Sequence, residues 1–290
     1  MANSIAKFKK YIDLLDEVYK ESSKTAILDG DATLVRAGAN ANEIVVPKLS
    51  MDGLADYSRN SGYVKGDVTL TNETVQFNYD RGRKFDVDAM DNEETAGLAF
   101  GKLSSEFIRT RVVPEMDAFR FATYAGTAGI SKATAATYST GADWLAAVQA
   151  GQSKMDDDEV PEENRILYIT PTGYNAVMNV DTTKSKEVLA SFSQIIKVPQ
   201  SRFYTAIELL DGTTSGEEAG GYAKATAGKD INFMIIHKPA LLQYPKHVVN
   251  KVISPEQNQE SDGWLFFYRA YGLADVYENK VAGIYLSNKA

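Results

Sequence analysis

The chain has 290 residues, 31 of them basic and 39 acidic, which gives a formal charge of −8 at pH 7. This balance argues against a dedicated nucleic-acid binder, whose affinity comes mostly from basic groups paired with phosphates. Hydrophobic residues make up 44% of the chain, close to the globular average, and the absence of cysteine excludes disulfide scaffolds, thiolate metal sites and cysteine nucleophiles.

The first forty residues predict an amphipathic helix followed by an extended arm. Apolar residues recur at helical spacing between Ser4 and Tyr19, namely at Ile5, Phe8, Ile12 and Leu15. This helix packs either on its own domain or on a neighbouring subunit. The stretch has no signal-peptide core, and no segment of the chain reaches the ~20 apolar residues of a membrane span, so we expect a protein of a reducing cytoplasm.

The next segment, Asn42 to Asp88, has the pattern of half-buried strands. The strand candidates are Ile44 to Val46, Val68 to Leu70, and Val75 to Tyr79, where apolar and polar residues alternate. Between the first two lies Asp52 to Asp67, which is too polar for a core and too long for a tight turn. Loops of this length inside a domain are usually functional, so this projecting hairpin is a candidate contact surface.

Asp88 to Tyr124 is the strongest helical segment. Asp91 and Asn92 are capping candidates, and acidic residues follow in the first turn, where the helix dipole favours them. Pro114 lacks the amide hydrogen and is expected to kink or break the helix, leaving a rod of ~23 residues before it. Gly97 and Gly101 on this rod indicate close approach of another backbone.

The middle of the chain, Thr140 to His237, alternates helix and strand and predicts a separate α/β lobe. Its expected helices are Asp143 to Met155 and Thr172 to Met178, and its expected strands are Arg165 to Thr170, Gln194 to Val198, Phe203 to Leu209 and Ile231 to Ile236. A mobile loop is expected from Asp211 to Asp230. The tail returns to three short strands, Trp264 to Tyr268, Asp275 to Tyr277 and Gly283 to Leu286.

Candidate chemical sites in the sequence are weak. The only histidines, His237 and His247, stand ten apart without the partners of a zinc site. The acidic run from Asp156 to Glu159 fits either a divalent-cation site or a solvated loop, and it lacks the glycine and the spacing of a calcium loop. Asp86, Asp88 and Glu94 are the carboxylates that an acidic-site hydrolase would use.

The order of these parts resembles that of the major capsid proteins of tailed bacteriophages with the Hong Kong 97-like fold. The stretches that carry the resemblance are Gly53 to Arg59 with Gly62-Tyr63, Asp80 to Asp88, Asn164 to Pro171, Val198 to Arg202, and Arg269, Tyr271-Gly272, Asn279-Lys280 and Gly283 to Tyr285 near the end. No single stretch is diagnostic, and the resemblance covers most of the chain.

The resemblance implies an α+β fold with an N-arm, an E-loop hairpin, a P-domain with a long spine helix and an α/β A-domain. It divides the chain into an N-arm at 1–45, an E-loop with flanking strands at 46–88, a spine helix at 89–138, an A-domain at 139–237, and returning P-domain strands with a closing A-domain strand at 238–290.

The function that it implies is structural: pentamers and hexamers that close into an icosahedral head around double-stranded DNA. We therefore expect no catalytic residue, cofactor, metal, membrane or sequence-specific DNA contact. A separate scaffolding protein and a portal are the expected partners, with assembly in the host bacterial cytoplasm and a final place in the virion. The alternatives are an encapsulin-type compartment shell of the same fold and, from another class, the acidic-site hydrolase.

The residues expected to touch neighbouring subunits come from three parts of the chain. They are Ile5, Phe8, Ile12 and Leu15 of the N-arm helix, Tyr57, Arg59 and Lys65 of the hairpin, and Arg81 and Arg83 of the segment that follows it.

Overall fold

The computed structural model describes residues 22–30, 36–37, 43–94, 102–180 and 183–290, with the backbone only for 36–37 and 92–94. Its α-helices are α1 (Ala89–Glu94), α2 (Leu103–Phe107), α3 (Val113–Gly126), α4 (Gly141–Asp157), α5 (Pro171–Met178) and α6 (Thr183–Ala190). Its strands are β1 (Arg36–Ala37), β2 (Glu43–Met51), β3 (Val68–Gln76), β4 (Tyr79–Asp88), β5 (Ser131–Lys132), β6 (Arg165–Ile169), β7 (Gln194–Lys197), β8 (Ile207–Leu210), β9 (Gly221–Lys224), β10 (Ile231–His237), β11 (Leu241–Ile253), β12 (Gly263–Val276) and β13 (Ile284–Asn288). The predicted N-terminal helix with Ile5, Phe8, Ile12 and Leu15, and the Gly97 and Gly101 pair, lie outside the described residues.

A five-stranded sheet with the order β5-β13-β10-β6-β7 forms the centre of the α/β lobe. Every residue of β6 and β10 is buried, because both faces of the sheet are covered. One face packs on α4 through Trp144 and Val148, and the other packs on the end of α3 through Phe121 and Tyr124. The closing strand β13 lies between β5 and β10, so the last residues of the chain complete a sheet that begins near residue 131.

A second sheet, β11-β12-β4, consists of long antiparallel strands that pack on the long helix (103–126). The contact is aromatic: Phe107 meets Phe85, Phe266 and Tyr268 with ring centroids 4.8–6.2 Å apart. The third sheet, β1-β2-β3, is the hairpin of β2 and β3 with a short added strand.

Of the two outcomes expected at Pro114, a kink or a break of the helix, the break does not occur. The chain stays helical from 103 to 126, because a π-helical turn at Ile108–Val112 precedes the proline and Val113 donates its amide to the carbonyl of Ile108. This i−5 register widens the helix where the proline ring would otherwise meet the preceding turn.

Three strand expectations also change. Phe203 is not in a strand, since β8 begins only at Ile207, and the expected loop after Asp211 contains β9, which pairs with β8. The predicted strand from Trp264 and the one from Asp275 belong to the single fourteen-residue β12. Its partner β11 was missed. The helix expected from Asp143 and the strand expected from Arg165 are confirmed, and a capping box between Thr140 and Asp143 begins α4.

Candidate subunit-contact surfaces

The hairpin of β2 and β3 is attached to the rest of the chain by one of its two faces. At the root of the hairpin, Ile44 and Val75 are directly opposite each other and pack on Leu242 and Tyr244 of β11. Further out, Lys48 has the same strand parity as Ile44, and its Nζ atom lies 2.7 Å from a carboxylate oxygen of Glu278. This ion pair raises the pKa of Lys48. The face of the hairpin that contains residues 44, 46 and 48 therefore packs against the rest of the chain.

The opposite face of the hairpin carries an exposed apolar patch near the tip. Two cross-strand pairs form it: Leu49 with Leu70, and Met51 with Val68. Their exposed fractions are 51% and 68% for the first pair, and 64% and 70% for the second. Side chains two residues apart in a strand share a face, so the four lie together and point away from the chain's own core. Within the described residues nothing covers them.

The tip itself, residues 52–67, is closed at its base and open at its end. Asp67 donates its amide to a carboxylate oxygen of Asp52 at 2.8 Å, which joins the two ends of the loop. Beyond this closure Tyr57 and Tyr63 stack edge to face, with centroids 4.8 Å apart, and both rings remain more than half exposed. An aromatic pair of this kind offers a large contact area at low cost in conformational entropy.

Arg59 and Lys65 are both exposed on this tip, as the sequence predicts for a contact surface. The tip candidates Tyr57, Arg59 and Lys65 are thus brought together on one projection. Their contact with another subunit stays a prediction.

Arg81 and Arg83 on β4 are used within the chain. Arg81 donates from Nε to a carboxylate oxygen of Glu115 at 2.8 Å, and from Nη2 to the carbonyls of Leu210 and Gly221. Arg83 donates to the carbonyl of Glu218 at 2.9 Å. The two arginines therefore fasten the β8–β9 hairpin to β4, and their role between subunits stays a prediction.

Glu115 also receives the hydroxyl of Tyr79 at 3.2 Å. Burial, together with the negative charge of Glu115, raises the pKa of Tyr79, which stays protonated and keeps its donor role. The ion pair between Arg81 and Glu115 is thus part of a partly buried polar cluster at the start of β4.

The carboxylates of the hydrolase alternative have ordinary structural partners. Asp86 accepts from the hydroxyl of Ser261 at 3.2 Å, and Asp88 accepts the amide of Met90 at 2.9 Å, as a cap at the start of α1. The side chain of Glu94 lies outside the described residues. These contacts give no support to a paired acid and base.

The histidines and the acidic run are separate features. His237 is buried at the end of β10, where burial and the nearby charges of Lys280 and Arg165 lower its pKa. His247 is exposed on β11. In the acidic run, Asp156 forms a 2.6 Å ion pair with Arg165.

The described part of the chain contains no group of three side chains able to hold a metal ion, and none of its helices is long and apolar enough to span a membrane.

The apolar patch was missed in the sequence although its signal is present. Leu49 and Met51, and likewise Val68 and Leu70, alternate with polar residues at the period of a strand. The burial partner of such a face is normally another part of the same chain. Only the register and the packing at the root show that this face points outward.

Comparisons with known proteins agree on the fold. No protein-family model and no curated protein matches the chain. Among solved structures, the asymmetric unit of the bacteriophage PhiM1 mature capsid is similar with a TM-score of 0.68 at 11% identity, over 98% of this chain and 92% of that one. A structure from Mycobacterium phage Che8 is similar with a TM-score of 0.66 at 12% identity, over 96% of both chains.

A third structure, a virus-like particle from Pyrococcus furiosus, is similar with a TM-score of 0.52 at 12% identity, over 85% of this chain and 86% of that one. At these identities the likeness concerns the fold. The chain has the Hong Kong 97-like capsid fold, and the α+β prediction is confirmed.

Proposed function

We propose that this chain is the structural subunit of an icosahedral phage head, which forms pentamers and hexamers that close around double-stranded DNA. The fold supports this proposal, since the PhiM1 structure with the same fold is that of a mature capsid. The observation that carries it is the apolar patch of Leu49, Met51, Val68 and Leu70. A face of this kind, exposed on a projection and turned away from its own core, marks a protein interaction site.

The partner of the patch is a second copy of the same chain. Many weak contacts repeated by symmetry stabilise a closed shell, although each would be too small to hold an isolated pair. The contact candidates Tyr57, Arg59 and Lys65 at the tip, Arg81 and Arg83 on β4, and Ile5, Phe8, Ile12 and Leu15 of the N-arm belong to this proposal, as does the division of the chain into five parts.

Scaffold, portal and DNA complete the proposed partners. With a formal charge of −8, the chain has no general attraction to a polyanion, which fits a wall that is filled by a packaging motor and needs no sequence-specific contact. Assembly in the host cytoplasm and a final place in the virion are part of the same proposal.

The test is deletion of Asp56 to Asp67. The ends of β2 and β3 are then joined by the four residues 52–55, a length that hairpins accept, so the protein is expected to fold. Electron microscopy and light scattering of the co-expressed protein should show shells for the natural chain and only small species for the deletion. A variant with Gly and Ser at 56–67 keeps the length of the loop and removes its side chains. It therefore distinguishes a requirement for the tip side chains from a requirement for the length of the hairpin. Normal particles from both variants would refute the role of the tip in assembly, and only small species from the natural chain itself would refute the shell proposal.

An encapsulin-type compartment is the second candidate, favoured by the similarity to the virus-like particle. The coverage and the TM-score of that match are lower than those of the PhiM1 structure. Copurification of a cargo enzyme with shells formed by the chain alone would favour the compartment. Dependence of closed shells on scaffold and portal would favour the phage head.

A further inference from the structure

A fully buried carboxylate on the long helix holds the N-terminal segment of the chain. Asp117 accepts five hydrogen bonds, and four of them come from the three residues Ser23, Lys24 and Thr25. These four are the hydroxyl of Ser23 at 2.8 Å, the amides of Lys24 and Thr25 at 2.9 and 3.2 Å, and the hydroxyl of Thr25 at 2.7 Å. The fifth is the guanidinium of Arg202 at 3.0 Å.

Two more side chains of the body hold the same segment. Arg120, one turn along the helix from Asp117, donates to the hydroxyl of Thr25 at 2.9 Å and to a carboxylate oxygen of Asp29 at 3.3 Å. Gln243 of β11 donates to the carbonyl of Thr25 at 2.8 Å and to the same oxygen of Asp29 at 2.7 Å.

Asp117, Arg120, Arg202 and Gln243 each have at least one hydrogen-bond partner on the segment. The hydroxyl of Tyr124 donates to the side-chain oxygen of Gln243 and so orients its amide group. The main-chain carbonyl of Gln243 accepts a hydrogen bond from the amide of Gly30 at 2.9 Å. The segment is bound through three amides, two hydroxyls, two carbonyls and one carboxylate, which is how a peptide is recognised.

The formal charges of the carboxylates and guanidinium groups at this site sum to zero only when the segment is bound. Asp117 and Asp29 carry two negative charges, and Arg120 and Arg202 carry two positive ones. Without the segment, Arg120 loses its partners Thr25 and Asp29, and Asp117 keeps only Arg202. Buried charges without partners are strongly unfavourable, so the body itself favours the occupied form.

We propose that Asp117, Arg120, Arg202 and Gln243 form a peptide-binding socket whose ligand is the segment Ser22 to Gly30 of the same chain. The socket fixes the position of Ser22 on the body. It does not depend on the proposed shell function, because all its partners belong to one chain.

The socket also lies next to the root of the hairpin. Leu242 and Tyr244 pack on Ile44 and Val75, while Gln243, between them in β11, points to the other side and into the socket. The segment and the hairpin are therefore held at the same place on β11, from opposite faces. Residues 31–42, which span at most ~40 Å, connect the two along the chain.

The test uses tryptic cleavage of the full-length chain after Lys24, followed by mass spectrometry of the product that begins at position 25. Thr25→Val removes one hydroxyl and keeps all charges, whereas Asp117→Asn removes the charge that the segment surrounds. We expect both variants to release this product at least ten times faster than the natural chain, with unchanged cleavage after Lys154 in α4. Exchange of the Lys24 and Thr25 amides should accelerate in parallel.

The matched controls are Thr123→Val, which changes the same residue type on the long helix, and Asp80→Asn, which removes an exposed ion-paired carboxylate. Both should keep the cleavage rate of the natural chain. The proposal is overturned if Thr25→Val stays folded and is cut after Lys24 at the natural rate, or if the controls accelerate the cut equally. The proposal also fails if Thr25→Val accelerates cleavage after Lys154 as much as cleavage after Lys24. The socket would then unfold only together with the whole core and would be no separate binding site.

Discussion

The outward-facing apolar patch of the hairpin gives a sharp prediction for assembly. Leu70 lies in this patch, whereas Thr69, its neighbour in β3, points to the opposite face. Leu70→Asp and Thr69→Asp therefore introduce the same charge one residue apart, on the two faces of one exposed strand. We expect the first substitution to abolish shells and the second to leave them intact.

The size of the effect follows from the exposure of the patch. Full burial of a Val, Leu or Met side chain is worth about 1.5–3 kcal/mol, and between 51% and 70% of each of the four is exposed. Covering the patch therefore contributes about 4–8 kcal/mol to each contact. Leu70→Asp removes about 1–2 kcal/mol of this and adds several kcal/mol for a buried carboxylate without a partner. A loss of about 4 kcal/mol weakens each contact roughly a thousandfold.

The assay compares the two variants in the same co-expression system. Light scattering and electron microscopy measure assembly, and urea unfolding of the dissociated subunit measures stability. Because both substitutions place Asp in the same exposed strand, both should lower the free energy of unfolding by a similar amount, under about 1 kcal/mol. Shells from Leu70→Asp, or equal loss of shells from both variants, would refute the assignment of the two faces.

Two further predictions concern the body of the molecule. Arg81→Met leaves the buried carboxylate of Glu115 without its ion pair and should lower the free energy of unfolding by about 3 kcal/mol. Arg269→Met breaks only the exposed pair with Asp80 and should lower it much less, so equal values in urea titrations would contradict this prediction. Burial lowers the pKa of His237 in the folded chain, so the unfolded chain takes up a proton more readily, and stability present above pH ~6.5 is lost as the pH falls below it. His237→Gln should therefore lose less stability than the natural chain between pH 7.5 and 5, and identical pH profiles would rule out this role.

Local patterns predicted much of the fold. The helix expected from Asp143 to Met155 is α4, and the strand expected from Arg165 to Thr170 is β6, because both patterns depend on residues close in the sequence. The helix does not break at Pro114, because a π-helical turn before the proline makes room for its ring. The sequence does not reveal this turn, since it depends on how the helix packs. β12 was read as separate strands because its polar positions, such as Arg269, are satisfied by the neighbouring strand β4.

Local sequence patterns do not predict the socket around Asp117 or the direction in which the apolar patch of the hairpin points. Asp117 and Thr25 are 92 residues apart in the chain, and no local spacing connects them. The sequence predicts the hairpin as a projection, and Tyr57, Arg59 and Lys65 at its tip are exposed. Which face of it points outward depends on the packing of Ile44 and Val75 on β11, which only the tertiary structure shows.

The root of the hairpin sets the direction of any contact that the tip makes. In the proposed shell the tip of one copy covers a different surface of the next, and contacts of this kind close into rings only when the rotation between neighbours fits. Ile44 and Val75 hold the root against Leu242 and Tyr244, while Gln243, between these two, holds the N-terminal segment on the other side of β11. Substitutions in the apolar patch therefore change how strongly copies bind one another. We expect substitutions at this point of β11 to change the angle between copies, and with it the choice between closed rings and open strips.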